Sequence, residues 1–176
     1  MYKKLSVIAV FFTAFVFLPA YILAQTMNTM TEKLNNADSA MSITIHQSTY
    51  FKVPPAQVYR TLLSSVAFSA CTKRSFDVFS ASSAKIDSVA GGTFSLFDGH
   101  IIGRILELVP DQRIVEAWRV VDWPAGVYSI ARFDLNAEGK GTRVIFEHVG
   151  FPGGLKEHLS VGWQQHYWDA MTKYFQ

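Results

Sequence analysis

The chain has 176 residues, of which 49% are hydrophobic and 14% aromatic, and this composition suits one folded domain and excludes a disordered chain. The formal net charge is +2, and Lys3 and Lys4 supply this excess, so the rest of the chain is neutral. A neutral body lacks the basic patch by which proteins bind nucleic acid or an anionic membrane surface, and we expect neither interaction from it.

The first 24 residues have the order of a signal peptide. Lys3 and Lys4 form a basic start, an apolar run follows from Leu5 to Leu18, and Ala24 is a small residue before a possible cleavage point. We therefore expect residues 1–24 to be removed on export, and the mature protein to be periplasmic or secreted. The alternative is a retained anchor through residues 5–24, which are numerous enough to cross a bilayer, with the domain outside the cytoplasm.

Residues 25–40 are polar and show no hydrophobic period, which predicts a flexible linker between the export signal and a domain at residues 41–176. The domain holds the single cysteine, Cys71. A lone cysteine cannot form an internal disulfide, and we expect this thiol to be buried and unreactive.

The domain begins with a strand and one or two helices. Ser42 to Val53 alternates between apolar and polar residues, which predicts a strand. Pro54-Pro55 ends the strand, and Val58, Tyr59, Leu62 and Leu63 then repeat at helical spacing. Val66 to Thr72 follows as a second, short helix.

From Ala84 onward the pattern changes to short strands separated by turn residues. Asp98-Gly99 lies between two apolar runs and predicts a hairpin with a type I′ turn. The predicted strands are Thr93–Phe97, His100–Val109, Ile114–Val121, Val127–Leu135 and Thr142–Val149. Successive hairpins of this kind form an antiparallel meander.

The last segment has the period of a helix. Its apolar stripe consists of Leu155, Leu159, Trp163, His166, Tyr167, Ala170 and Tyr174. An antiparallel sheet needs a cover for its apolar face, and this long C-terminal helix is the element large enough to provide one. The predicted fold class is α+β.

Four segments, in order, resemble one known family. They are Val89–Gly103, Ile114–Arg119, Gly141–Gly150 and Gly162–Asp169. They are similar to motifs of the activator of heat-shock-protein-90 ATPase homologue-like family, within the superfamily of START, polyketide-cyclase and birch-pollen-allergen-like (SRPBCC) domains. The resemblance implies a helix-grip fold, in which a curved antiparallel sheet wraps around a long C-terminal helix. Because the chain carries an expected export signal and family members are mostly cytosolic, we do not extend co-chaperone activity to it.

The domain holds more large side chains on its predicted inner face than a small core requires. A cavity walled by aromatic rings with a few polar groups is how sites for small molecules look. The alternative for most of these residues is plain core packing. The predicted ligand-binding residues are Phe94, Glu116, Trp118, Phe133, Phe146, His148, Trp163 and Tyr167.

Two of these residues could also carry chemistry. Glu116 shares a face with Ile114 and Trp118, and without a cation beside it an inward carboxylate becomes a candidate general base. The favoured alternative is an ion pair with Arg104 or Arg132, or a place on the surface. His148 is either a polar contact at one end of the cavity or a structural residue with hydrogen bonds to its neighbours.

No metal, phosphate or nucleophile motif occurs in the sequence, so we expect no cofactor and no catalysis. The leading prediction is an exported domain that binds a small apolar molecule. One alternative is a cyclase-like or dehydratase-like enzyme that uses Glu116 and His148. The other is a stress-related protein-interaction module without ligand, whose protein partner the sequence does not identify.

Overall fold

The computed structural model describes residues 24–31, 44–73 and 83–176. The chain divides into two units, Met1–Ala40 and Met41–Gln176. In the first unit residues 24–31 form a helix, α1, in a stretch for which the sequence predicted a linker. All eight residues of α1 are exposed, so the helix has no buried apolar face. Its sequence therefore lacks the hydrophobic periodicity by which an amphipathic helix is predicted. Residues 1–23 of the predicted signal segment lie outside the described residues. None of the described helices is long and apolar enough to span a bilayer.

The second unit is built on a seven-stranded antiparallel sheet in the order β1-β7-β6-β5-β4-β3-β2. Strands β2 to β7 form the predicted meander, and β1 closes it by pairing with the last strand, from Thr44 opposite Val149 to Phe51 opposite Thr142. The bounds are β1 Thr44–Phe51, β2 Lys85–Ile86, β3 Thr93–Leu96, β4 Ile101–Val109, β5 Arg113–Val120, β6 Ser129–Glu138 and β7 Gly141–Val149.

One face of the sheet is buried because side chains alternate along each strand. In β5 the inward positions are Ile114, Glu116 and Trp118. Phe133 of β6 lies directly opposite Phe146 of β7, and both side chains are almost fully buried. The alternation thus places the residues predicted to face inward on the inner face.

Two short helices follow β1, as the sequence predicted. Helix α2 spans Pro55–Leu63, with proline at its first turn, and α3 spans Ser65–Thr72. Ser64 ends α2 and caps α3, since its hydroxyl accepts a hydrogen bond from the Ala67 amide at 3.2 Å. Both helices contribute buried apolar residues, including Val58 and Phe68, to the core.

The C-terminal helix covers the inner face and is interrupted by a π turn. It runs as α4 Lys156–Trp163, the π turn Gln164–Trp168 and α5 Asp169–Tyr174. The wider turn rotates the rest of the helix, so Trp168 and Met171 face the core while Tyr174 is 39% exposed. The prediction that Tyr174 belongs to the apolar stripe was therefore wrong, although the helix itself and the α+β fold are confirmed.

Candidate functional site

A cavity of about 710 Å³ lies between the sheet and the C-terminal helix. One wall consists of the turn after β3 and the ends of β4 and β5, with Trp118 and Val120. The other consists of α4 and the π turn, with Leu159, Trp163 and Tyr167. The lining is mostly apolar, and it also includes histidine, glutamine and aspartate residues.

Three of the eight predicted residues line this cavity: Trp118, Trp163 and Tyr167. Phe133 and Phe146 lie beside it in the core, where the Phe146 ring centroid is 4.3 Å from that of Trp163. Phe94 is buried against β4. At Gly103, opposite Phe94, a Cβ atom would come within 2.3 Å of that ring, so the glycine makes room for it. These three phenylalanines have the core role that was the alternative prediction.

His148 is fully buried, and both of its ring nitrogens have partners. Trp163 Nε1 donates to His148 Nδ1 at 3.0 Å, so the proton of the neutral ring belongs on Nε2. Nε2 then donates to the Ser129 hydroxyl at 2.6 Å, and that hydroxyl donates to the Trp118 carbonyl at 2.8 Å. Burial lowers the pKa of His148 to about 3. This arrangement matches the structural role and leaves no lone pair for acid–base chemistry.

Glu116 is buried without a cation beside it, so the predicted ion pair with Arg104 or Arg132 was wrong. Its neighbours across the sheet are Ile105 and Ala131. Arg104 instead donates to the Gly91 carbonyl, and Arg132 pairs with Asp134 at 2.8 Å. Arg104 lies opposite Ala117 and Arg132 lies opposite Val115. Because side chains alternate along a pleated strand, both arginines point away from the face that holds Glu116. Burial raises the pKa of Glu116 to about 8, so the carboxyl is mainly protonated at pH 7.

Two polar atoms on the cavity wall are buried without a hydrogen-bond partner among the described residues: Trp118 Nε1 and the Tyr167 hydroxyl. Burial and the nearby Glu116 carboxylate raise the pKa of Tyr167, and the Trp118 indole, which lies close to the hydroxyl, opposes that rise. The indole and the hydroxyl are neighbours, but their geometry is not that of a hydrogen bond. The indole and the hydroxyl therefore lie side by side in the cavity wall, and the Glu116 carboxyl lies near Tyr167 without lining the cavity.

The mouth of the cavity is formed by a turn that holds a strained aromatic residue. The predicted hairpin is confirmed: Asp98 and Gly99 have φ of 57° and 93°, and the His100 amide donates to the Phe97 carbonyl at 3.1 Å. Phe97 itself has φ of 52°, a conformation that costs a residue other than glycine roughly 1–3 kcal/mol. Its ring contacts Phe68 and Tyr167 edge to face. Phe97 was not among the predicted site residues, because the alternation of the sequence placed it at the end of a strand.

Histidines surround the same mouth. His100, His158 and His166 all line the cavity, and burial, then the charges of the other two, lower the pKa of His166. Within the described ranges, no group of three or more His, Cys, Asp or Glu side chains is placed to hold a metal ion.

Cys71 is buried elsewhere in the core, and burial raises the pKa of its thiol to about 12. At neutral pH it is a thiol rather than a nucleophilic thiolate.

Solved structures share this architecture. An HSP90 activator from Plasmodium falciparum superposes with a TM-score of 0.64 at 25% identity, over 70% of this chain and 89% of that chain. A Chromobacterium violaceum protein superposes with a TM-score of 0.60 at 27% identity, over 77% of this chain and 98% of that chain. The helix-grip fold implied by the resemblance is thereby confirmed.

Sequence comparison leads to the same family. The human activator of 90 kDa heat shock protein ATPase homolog 1 is 26% identical over 125 residues, which are 71% of this chain and 35% of that protein. The chain thus spans about a third of the length of this relative. The family model described as Activator of Hsp90 ATPase homolog 1-like protein matches residues 52–176. The chain belongs to the Activator of Hsp90 ATPase homolog 1-like family.

Proposed function

We propose that the domain binds a small, mainly apolar molecule in the cavity between the sheet and the C-terminal helix. The cavity itself carries the proposal. Its volume of about 710 Å³ is within the range of roughly 300–1,000 Å³ that is usual for small-molecule sites. Its aromatic walls and few polar groups suit a ligand that is mostly hydrocarbon.

The state of His148 supports binding without catalysis. An acid–base pair with Glu116 would need a ring nitrogen free to exchange a proton with a ligand, and both nitrogens of His148 are engaged. The second candidate function is acid catalysis by Glu116 alone, which its raised pKa and lack of a cationic partner favour. A substrate that the wild-type protein converts and Glu116→Gln does not would make this the better candidate.

We place the domain outside the cytoplasm on the strength of Lys3, Lys4 and the apolar run that follows. Relatives are named as activators of a heat shock protein ATPase, but export would separate this protein from a cytosolic chaperone, so we do not include that activity. The intact mass of the protein from its native host tests whether the signal is cleaved, because a retained anchor would keep the first 24 residues, and digestion of intact host cells' periplasm-exposed proteins by added protease tests the placement.

Filling the cavity tests ligand binding. Gly162 lies on its wall, and a Cβ atom there would meet nothing closer than His166 Cδ2 at 4.0 Å. Gly162→Leu should therefore fold, since leucine also favours a helix more than glycine does. Binding of the neutral fluorescent probe N-phenyl-1-naphthylamine should weaken about tenfold or more, because the new side chain occupies the site.

The matched control is Gly153→Leu. Gly153 is exposed, has nothing within 4 Å of a Cβ atom and does not line the cavity, so the same added side chain should leave probe affinity unchanged. Equal affinity in wild type and Gly162→Leu would place the probe elsewhere and count against the proposal.

A further inference from the structure

The indole of Trp118 and the hydroxyl of Tyr167 on the cavity wall need an explanation, because buried donors and acceptors in native proteins almost always have partners. Trp118 and Tyr167 are 3% and 5% exposed, and neither Nε1 nor the hydroxyl has a hydrogen bond within the part of the chain that the structure describes. Glu116, two residues before Trp118 on the same face of β5, lies near Tyr167 but does not line the cavity. Isolated in an apolar wall, each group without a partner costs stability.

The hydrogen-bonding chemistry of these groups indicates which kind of ligand atom would be their partner. The indole N–H of Trp118 can only donate a hydrogen bond, and a tyrosine hydroxyl can donate as well. Two donors at one place call for an acceptor atom. A carboxylate or phosphate ligand is disfavoured, since no lysine or arginine lines the cavity.

We infer that the cavity recognises a neutral ligand with an apolar body and a carbonyl oxygen at its buried end, held by Trp118 Nε1 and the Tyr167 hydroxyl. This rests on the proposed function and adds the chemical class of the ligand. The wall of the cavity supplies the apolar contacts, and the indole and the hydroxyl set the orientation of the ligand. Without a ligand these two groups lack hydrogen bonds, which lowers stability, and binding would remove that loss.

A pair of probes that differ only in the carbonyl group tests this. The first is 6-propionyl-2-(dimethylamino)naphthalene, and the second is its 6-propyl analogue, which has a methylene in place of the carbonyl. Tyr167→Phe removes the hydroxyl and keeps the ring. It should weaken the carbonyl probe about tenfold and change the propyl probe less than about twofold, because only the former loses a hydrogen bond.

Stability provides a second readout. Because Tyr167→Phe removes a buried hydroxyl that has no partner, the variant should unfold at the same urea concentration as wild type or a higher one. Trp118→Phe removes the other donor and should weaken the carbonyl probe more than the propyl probe, since both probes lose the same apolar contacts with the indole. Tyr128→Phe is the control, since Tyr128 is 47% exposed and does not line the cavity.

The outcomes separate the two proposals. If both probes bind wild type and Tyr167→Phe changes their affinities equally, or not at all, the carbonyl site is wrong and the apolar cavity stands. If neither probe binds wild type, both the carbonyl site and the proposed function fail. A selective loss of the carbonyl probe in Tyr167→Phe and Trp118→Phe, absent from Tyr128→Phe, supports the inference.

Discussion

At the scale of single residues, His148 connects three elements by hydrogen bonds that require a neutral ring. It lies on β7, accepts from Trp163 on α4 and donates to Ser129 on β6, which in turn bonds the backbone of β5 at Trp118. A protonated ring would lose the bond from Trp163, because two donors would then face each other. The network thus stabilises the contact between sheet and helix beside the cavity.

Removing one member of this hydrogen-bond network should destabilise the folded domain. Ser129→Ala leaves His148 Nε2 buried without an acceptor, and we expect the free energy of unfolding to fall by about 1–3 kcal/mol. Urea denaturation measures the loss. Ser48→Ala is the control, because Ser48 is an exposed strand residue and should change stability by less than about 0.5 kcal/mol. Equal midpoints for the two variants would mean that the network contributes little.

Alternation along the strands allowed the inward residues, including Glu116 and Trp118, to be predicted, but not their partners. A partner depends on register between strands, and a shift of one residue moves a side chain to the other face. Register places Arg104 and Arg132 opposite Ala117 and Val115, so neither can reach Glu116. For the same reason Ser129 could not be identified as the acceptor for His148.

At the scale of elements, the π turn decides which side of the C-terminal helix faces the sheet. A regular helix continued from Trp163 would bury Tyr174 and expose Trp168, and the observed helix does the reverse. Trp168 Nε1 also donates to Gln47 Oε1 at 2.7 Å, while Gln47 Nε2 donates to the Ser160 carbonyl at 2.9 Å, which ties β1 to the helix. Apolar periodicity does not reveal an inserted residue, so the sequence identified the helix but not this turn.

Two substitutions distinguish the π turn from a regular helix. Trp168→Ala should cost about 3–5 kcal/mol, because it empties a buried site and leaves Gln47 without its donor. Tyr174→Ala should cost less than about 1 kcal/mol, because the ring is largely exposed. Urea midpoints rank the two variants, and Trp168→Phe serves if the alanine variant does not fold. A larger loss for Tyr174→Ala would contradict the π turn.

At the scale of the whole molecule, the order of elements was predictable because each hairpin and helix is a local pattern. The pairing of β1 with β7 joins residues about a hundred positions apart, and no local period predicts it. The cavity is also a property of the assembled fold, since it depends on how far the C-terminal helix stands from the sheet. Hence Trp118, Trp163 and Tyr167 could be proposed as its walls, while Phe97, which reaches the mouth through a turn, could not.

Glu116 and His148 together should shape the pH dependence of stability. The pKa of Glu116 is raised from 4.5 to about 8, so its contribution is complete below pH 4.5 and is lost as pH rises toward 8. The pKa of His148 is lowered from 6.5 to about 3, so its contribution is complete above pH 6.5 and is lost as pH falls toward 3. Each group changes the free energy of unfolding by at most about 1.4 kcal/mol per pH unit.

The two slopes oppose each other where their windows overlap, between pH 4.5 and 6.5, so they partly cancel there. Burial also lowers the pKa of His166, which adds to the loss of stability on the acid side. Above pH 6.5 Glu116 should lower stability, and below pH 4.5 His148 should. Urea midpoints at about pH 4, 5.5 and 8 measure the profile. Glu116→Gln should abolish the alkaline loss, since glutamine has no proton to release, and should leave the acid loss in place. If Glu116→Gln loses as much stability as wild type between about pH 6.5 and 8, the carboxyl has an ordinary pKa in the folded domain and cannot serve as a proton donor to a ligand in this range.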